Sequence, residues 1–224
     1  ITGKMALFTD PATKTGGEKL SYPIPTYQAL KGIVENIYWK PTIYWIVDEV
    51  RVMNAINMQP RGMKPLKQSG GNALSIYTYL TDVKYQVCAH FEFNLFRTDL
   101  RTDRSPQKHI SIARRMIEFG GRRDVFLGTR ECVGLIEEIS EDDFFNKNSY
   151  YDEQLLNMGI MFQEFEYPQK PGGKLKSYYA NTEMKEGYIT YSNNKDDFIC
   201  NVLSDYYFKY PVKQKSVDEE LNDE

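Results

Sequence analysis

Short β-branched and aromatic runs alternate with two amphipathic helical segments through the first 136 residues, and that alternation restricts the chain to few architectures. Residues 5–9 read as a strand, followed by a turn-rich loop carrying Gly16, Gly17, Pro23 and Pro25. Tyr27, Leu30, Val34 and Ile37 recur at helical spacing, Thr26 can cap their N-terminus, and Pro41 forbids extension much past Tyr38. Residues 42–53 are strand-like, and a Met-, Pro- and Gly-punctuated stretch runs on to about residue 73. Two further strand-like runs, 74–80 and 83–95, are joined by Thr81 and Asp82 as the turn of a hairpin. Ser105 as N-cap and Pro106 at the first helical position open a second helix, with Ile110, Ala113 and Ile117 as its buried stripe and Gly120 and Gly121 closing it. Residues 125–136 return as a strand. The order is β, α, β, an extra hairpin strand, β, α, β, which is a ferredoxin-like order with an insertion.

The acidic run at 137–143 marks a boundary. Residues 1–137 are expected to form a ferredoxin-like domain with an inserted hairpin. Residues 138–224, with aromatic runs at 161–167, 176–180 and 188–191 between Pro-Gly, Glu-Gly and Asn-Asn turns, are expected to form a small β-rich domain with a disordered acidic tail at 218–224. The fold class expected is α+β.

Charge divides along a similar line. Residues 1–130 carry 19 Lys and Arg against 11 Asp and Glu, a balance of +8, while the last 94 residues carry 9 against 20, a balance of −11. A basic half attracts phosphate and gives salt-dependent affinity, which a formal net charge of −3 conceals. Cys88, Cys132 and Cys200 are odd in number and far apart, so neither a disulfide framework nor a zinc site is indicated, and a reducing cytoplasm is expected. No apolar run approaches the roughly 20 residues that span a bilayer, so no membrane partner is expected. The chain begins at Ile1 without an initiator Met, so a few native residues of the first strand are expected to be missing.

Lys108 and His109 fall in the first turn of the second helix, where the macrodipole disfavours a cation. A helix N-terminus with an ammonium is a seat for phosphate, and the same dipole biases His109 to the neutral form that takes up a proton near pH 7. The plainer reading is a surface Lys and His at a helix end. The segment GGRRDVFLGTR that follows offers the backbone N–H groups of Gly120 and Gly121, the paired Arg122 and Arg123, and Arg130, all suited to phosphate; its plainer reading is a helix C-cap with a solvated charge pair. Tyr38 lies off the apolar stripe of the first helix, which leaves its hydroxyl free to act. His90, in the run VCAHFEFN, reads as a satisfied structural imidazole. No carboxylate arrangement recognisable as a metal site is present, and no phosphate-binding G-x-x-x-x-G-K-[ST] loop. No metal and no cofactor are expected.

The strings ALFTDPATKTGGEKLSYPIPTYQALKGIVENIYWKP, DVKYQVCAHFEFN, DR-x₃-KH-x-SI and GGRRDVFLGTREC together resemble the fifth CRISPR-associated protein family in its subtype I-C (Dvulg) form. The likeness runs from Met5 to about Leu135 and weakens afterwards, where NMGIMF and KLKSYY persist. The resemblance implies a repeat-associated RNA-binding protein with a ferredoxin-like core. It implies a metal-independent endoribonuclease that cuts precursor CRISPR RNA at the 3′ base of the repeat hairpin. Such a protein then retains the 5′ handle and joins the backbone and large subunits of the type I-C interference complex. The family's catalytic Tyr falls on Tyr38 and its Lys-His pair on Lys108 and His109. In-line attack by the ribose 2′-OH then requires proton transfer, for which His109 is suited, and charge stabilisation at phosphate, for which Lys108 is suited; Tyr38 would position the 2′-OH or support the proton transfer. The competing expectations are a non-cleaving subunit that binds the crRNA handle, and a general double-stranded-DNA-binding protein.

Overall fold

Helix α1 (Tyr27–Ile37) begins where Thr26 accepts a hydrogen bond from the Ala29 N–H at 3.2 Å through its side-chain oxygen, and it stops where Tyr38 turns to extended backbone. The computed structural model describes residues 1–205 except 12, 14–16, 68, 69, 169–172 and 193, so the acidic tail expected at 218–224 lies outside the described residues. Before α1 come β1 (Thr2–Ala6) and β2 (Lys19–Leu20), and after it β3 (Ile43–Val52), β4 (Asn57–Met63) and β5 (Ser75–Phe93). A 3-10 turn at Thr98–Asp103 leads into α2 (Pro106–Glu118), then β6 (Val125–Phe126), β7 (Val133–Leu135) and α3 (Glu141–Asn146). The remaining strands are β8 (Leu155–Glu166), β9 (Lys174–Lys185), β10 (Tyr188–Thr190) and β11 (Ile199–Asp205), with a 3-10 turn at Lys195–Asp197 between the last two.

The architecture is mixed α/β around a large, mostly antiparallel sheet ordered β11–β9–β10–β3–β5–β1–β7–β6. Within it β7, β1, β5 and β3 are successive neighbours, with α1 between β1 and β3 in the chain and α2 between β5 and β6. The strands after residue 137 join the same sheet, because β10 pairs with β3 through Ile189 opposite Val50. Arg51, only 5% exposed, adds a tie: it bonds the Phe144 carbonyl of α3 at 3.0 Å and Asp152 at 3.0 Å.

Three sequence expectations are corrected. Thr81 and Asp82 do not form a hairpin; β5 is one strand of 19 residues. Asp82 takes φ +53 within it, a left-handed conformation that Asp tolerates, and its carbonyl accepts from the Asn54 side chain at 2.8 Å. The strand continues there instead of reversing, opposite the break between β3 and β4, which pair with successive stretches of β5. Residues 57–63, read as irregular, form β4; Pro60 is accommodated because β4 pairs with β5 alone, and a strand with a free edge loses no ladder bond to proline. Residues 125–136 are not one strand but a tight hairpin of β6 and β7. Gly128 makes its turn at φ +95, and a Cβ there would lie 2.0 Å from the Leu7 carbonyl oxygen.

The main core joins Leu30 and Ile33 of α1 to Val47 and Val50 of β3, Leu80 of β5 and Leu127, and continues into Met161, Met184 and Ile189 beyond residue 137. A smaller cluster of Tyr38, Ile43, Trp45 and Ala113, backed by Phe91, Phe93, Ile112 and Met116, seats α2 on the sheet. Each such aliphatic side chain contributes roughly 1.5–3 kcal/mol by leaving water.

Candidate active site

The smaller cluster fixes where the candidate residues sit. Helix α2 buries His109 and Ala113, with Ile112 and Met116 packed beside them, so its inner stripe runs 109, 112, 113, 116. Ile110, expected inside, is 43% exposed. His109 is therefore not a surface residue at a helix end. It is 0% exposed, with the Phe91 and Phe93 rings edge-on at 5.8 and 5.9 Å.

Tyr38, at the end of α1, is 4% exposed, and its hydroxyl is not free: it lies 2.7 Å from His109 Nδ1. The other ring nitrogen, Nε2, is 2.8 Å from the backbone carbonyl of Asp103. A carbonyl only accepts, so Nε2 carries a proton; in the neutral ring Nδ1 is then the acceptor, and Tyr38 donates to it. Burial first, and the nearby Asp103 charge second, push the Tyr38 phenol above its ordinary value of 10.0, so it stays protonated.

Lys108, next along the helix, points the other way. Its side chain is 47% exposed, and its ammonium pairs with the Asp103 carboxylate. Thr42, at the start of β3 and 1% exposed, donates to the other oxygen of that carboxylate at 2.6 Å. The Lys108 and Thr42 hydrogen bonds hold the Asp103 carboxyl down to about 2, so it is ionised at any neutral pH. The structure thus brings Tyr38, His109 and Lys108 into one chain of contacts through Asp103. Sequence reasoning missed Asp103 and Thr42; the available signal was a carboxylate just ahead of the Ser-Pro helix start.

The helix opening is anion-friendly in a limited sense. Ser105 sits at the N-cap position but its side chain caps nothing, and the first turn holds no acidic residue. The first-turn N–H groups of any helix lack intrahelical partners.

The glycine loop behaves differently from expectation. Gly120 and Gly121 have φ +80 and +107, and their N–H groups are spent on the Ile117 and Met116 carbonyls at 2.9 and 2.7 Å. They close α2 and do not offer those N–H groups to phosphate. The Arg122 N–H bonds the Ile37 carbonyl at 3.2 Å, and Asn36 bonds the Asp124 carbonyl at 2.8 Å, which pins the loop to the end of α1. Arg122, Arg123 and Arg130 are exposed. Arg123 and Arg130 line an open cleft of about 560 Å³ with Gln28, Gly32 and Asn36 of α1. His90, read as a satisfied structural imidazole, has a half-exposed side chain whose Nδ1 lies 2.7 Å from the Asp48 carboxylate.

Among the described residues no cluster of three or more His, Cys, Asp or Glu is placed to hold a metal ion. No helix among them is long and apolar enough to cross a membrane.

Residues 1–191 match the family described as CRISPR-associated protein (Cas_Cas5). A CRISPR pre-crRNA endoribonuclease Cas5d from Mannheimia succiniciproducens is 26% identical over 216 residues, covering 84% of this chain and 91% of that protein. Its namesake from Thermus thermophilus is 28% identical over 141 residues, 58% of each chain. The solved structure of the functionally uncharacterized protein SMU1763c from Streptococcus mutans is 42% identical with a TM-score of 0.72, covering 90% of this chain and 94% of that one. A crystal structure of a CRISPR-associated protein is 44% identical with a TM-score of 0.74, covering 90% and 93%. With a family match over most of its length and close structural likeness at more than 40% identity, this chain belongs to the fifth CRISPR-associated protein family, in its Cas5d (subtype I-C) form.

Proposed function

We propose that this chain is a metal-independent endoribonuclease that cuts precursor CRISPR RNA at the 3′ base of the repeat hairpin. The observation that carries the reading is the hydrogen-bonded chain from Tyr38 through His109 to Asp103, with the Lys108 ammonium beside it. The names of the curated relatives support it, since both are pre-crRNA endoribonucleases. The β7–β1–β5–β3 order with two intervening helices supports a ferredoxin-like core.

The buried imidazole acts through the phenol. The ribose 2′-OH gives its proton to the Tyr38 oxygen as Tyr38 passes its own to His109 Nδ1, so no free tyrosinate is needed despite the raised phenol pKa. The imidazolium formed is stabilised by the Asp103 carbonyl and by its carboxylate oxygen 3.8 Å from Nε2. The Lys108 ammonium offsets the charge that builds on the phosphate oxygens and is the exposed acid of the group for the leaving 5′-oxygen. The products are a 2′,3′-cyclic phosphate and a 5′-hydroxyl. Residues 1–137 carry this chemistry, and the β-rich part from 138 on extends their sheet and core. After cleavage the protein stays on the 5′ handle, held by Arg122, Arg123 and Arg130, and joins the backbone and large subunits of the type I-C interference complex.

The test is incubation of purified protein with its cognate repeat RNA in EDTA, with the product ends analysed. Cleavage with a cyclic phosphate end is expected, and a 2′-deoxy nucleotide at the cut stops cleavage while binding persists. Cleavage that disappears with EDTA and returns with Mg²⁺ contradicts the metal-independent reading. Hairpin repeat RNA outcompetes unrelated double-stranded DNA at physiological salt; the reverse order favours a general DNA-binding protein.

One observation favours a second reading. His109 is 0% exposed with both ring nitrogens bonded, as in a structural strut of a non-cleaving handle-binding subunit. His109→Ala separates the two: loss of about 10² to 10⁴ in cleavage rate with RNA binding retained supports the enzyme. A wild type that binds the repeat RNA without cutting it supports the strut.

A further inference from the structure

We propose that Asp103 is the positioning residue of this site: its carboxylate holds the Lys108 ammonium at the scissile phosphate and its backbone carbonyl fixes the His109 tautomer. The inference rests on the endoribonuclease reading above. Asp103 ends the 3-10 turn ahead of α2, two residues before the N-cap, so one residue reaches both neighbours at the helix start. One carboxylate oxygen takes Lys108 and the other takes the Thr42 hydroxyl at 2.6 Å. Thr42 is 1% exposed at the root of β3, so the carboxylate is anchored to the sheet and not to a mobile surface group.

The anchoring answers a difficulty specific to lysine. A half-exposed ammonium on a four-carbon stem samples many rotamers, and charge stabilisation in the transition state requires it already in place. An ammonium has three donors; one goes to Asp103, and two remain for phosphate oxygens. A carboxylate beside the phosphate is unfavourable on its own, yet here Lys108 and Thr42 both take up its charge. The carbonyl has a separate task. By accepting from Nε2 at 2.8 Å it leaves Nδ1 with a lone pair toward Tyr38, and the opposite tautomer would block the proton path.

Asp103→Asn tests the first task, because it keeps the backbone carbonyl and the fold of the turn while removing the charge that holds Lys108. In single-turnover cleavage of the cognate repeat RNA by the full chain, Asp103→Asn is expected to slow the step by about 10- to 100-fold. Affinity for the same RNA with a 2′-deoxy nucleotide at the cut stays within about threefold. If Asp103 acts through Lys108, adding Asp103→Asn to Lys108→Ala changes the remaining rate by less than about threefold, whereas a merely structural residue multiplies the two losses. Wild-type cleavage by Asp103→Asn, or multiplied losses in the double variant, overturns the proposal. Should Asp103→Asn no longer bind the deoxy RNA, Thr42→Val decides: a slowing of about threefold or more at unchanged binding supports the proposal, and an unchanged rate overturns it. The second task is read from ring ¹⁵N signals of His109, which show the Nε2–H tautomer in wild type and in Asp103→Asn; an Nδ1–H tautomer overturns it. A wild type that cleaves nothing defeats the endoribonuclease reading and this inference with it, whereas an active wild type with an equally active Asp103→Asn defeats the inference alone.

Discussion

Tyr38 and His109 stabilise the fold and serve the proposed chemistry through the same hydrogen bond. Tyr38→Phe removes the donor and leaves His109 Nδ1 buried without a partner, so it is expected to cost about 1–3 kcal/mol in a denaturant titration while cleavage falls more than RNA binding. An unchanged unfolding midpoint would show that water reaches Nδ1. Asp103 gives a pH signature. Its carboxyl drops from 3.8 to about 2 on folding, so its contribution is complete above the unfolded value, near pH 4, and disappears as pH falls toward 2. The melting temperatures of wild type and Asp103→Asn should therefore differ above pH 4 and converge between pH 4 and 2; a constant gap across that window contradicts the assignment. At this scale the sequence singled out Tyr38, Lys108 and His109 but not their environment. The stripe 110, 113, 117 is as apolar as 109, 112, 113, 116, and a histidine in the first turn reads as solvated until the Phe91 and Phe93 wall of β5 is known to face it.

Local signals decide elements where they act alone. Thr26, Pro41 and the spacing of Tyr27, Leu30, Val34 and Ile37 predicted α1 to within a residue, because a cap and a helix stop need no tertiary partner. Pairing overrode local chemistry elsewhere. Thr81 and Asp82 looked like a turn, but the strands on either side of β5 carry it straight through, and Pro60 looked like a breaker until β4 found a single partner. Gly128 is the reverse case, a glycine read as part of a strand that is required for a turn. Gly128→Ala places a Cβ against the Leu7 carbonyl oxygen at φ +95 and is expected to cost more than about 2 kcal/mol, separating β6–β7 from β1. Gly120→Ala has φ +80 but nothing within 4 Å of its Cβ, so a smaller loss is expected there. Equal unfolding midpoints for the two variants would contradict the close approach.

Across the whole molecule, the legible feature was charge, and the hidden one was how the two charge halves join. The acidic run at 137–143 marks a change in composition, yet the sheet continues across it through β10 on β3, and the core continues through Met161, Met184 and Ile189, a continuity that no local window reveals. The basic half makes a measurable claim about RNA. Each phosphate neutralised on single-stranded RNA steepens the dependence of log affinity on log salt by about 0.7. Arg122, Arg123 and Arg130 are exposed, and the first two sit on a loop pinned to α1, so replacing all three by Ala is expected to flatten that slope by about 2. Cleavage of bound RNA should hold, since none of the three belongs to the Tyr38, His109, Asp103 and Lys108 chain. Lys195 serves as the control cation, because Glu164 at 2.7 Å and Glu166 at 3.0 Å already hold it; Lys195→Ala is expected to leave the slope unchanged. Equal slopes for wild type and the triple variant, measured from 50 to 200 mM salt, would place the RNA backbone elsewhere on the basic half and remove the loop from the binding surface.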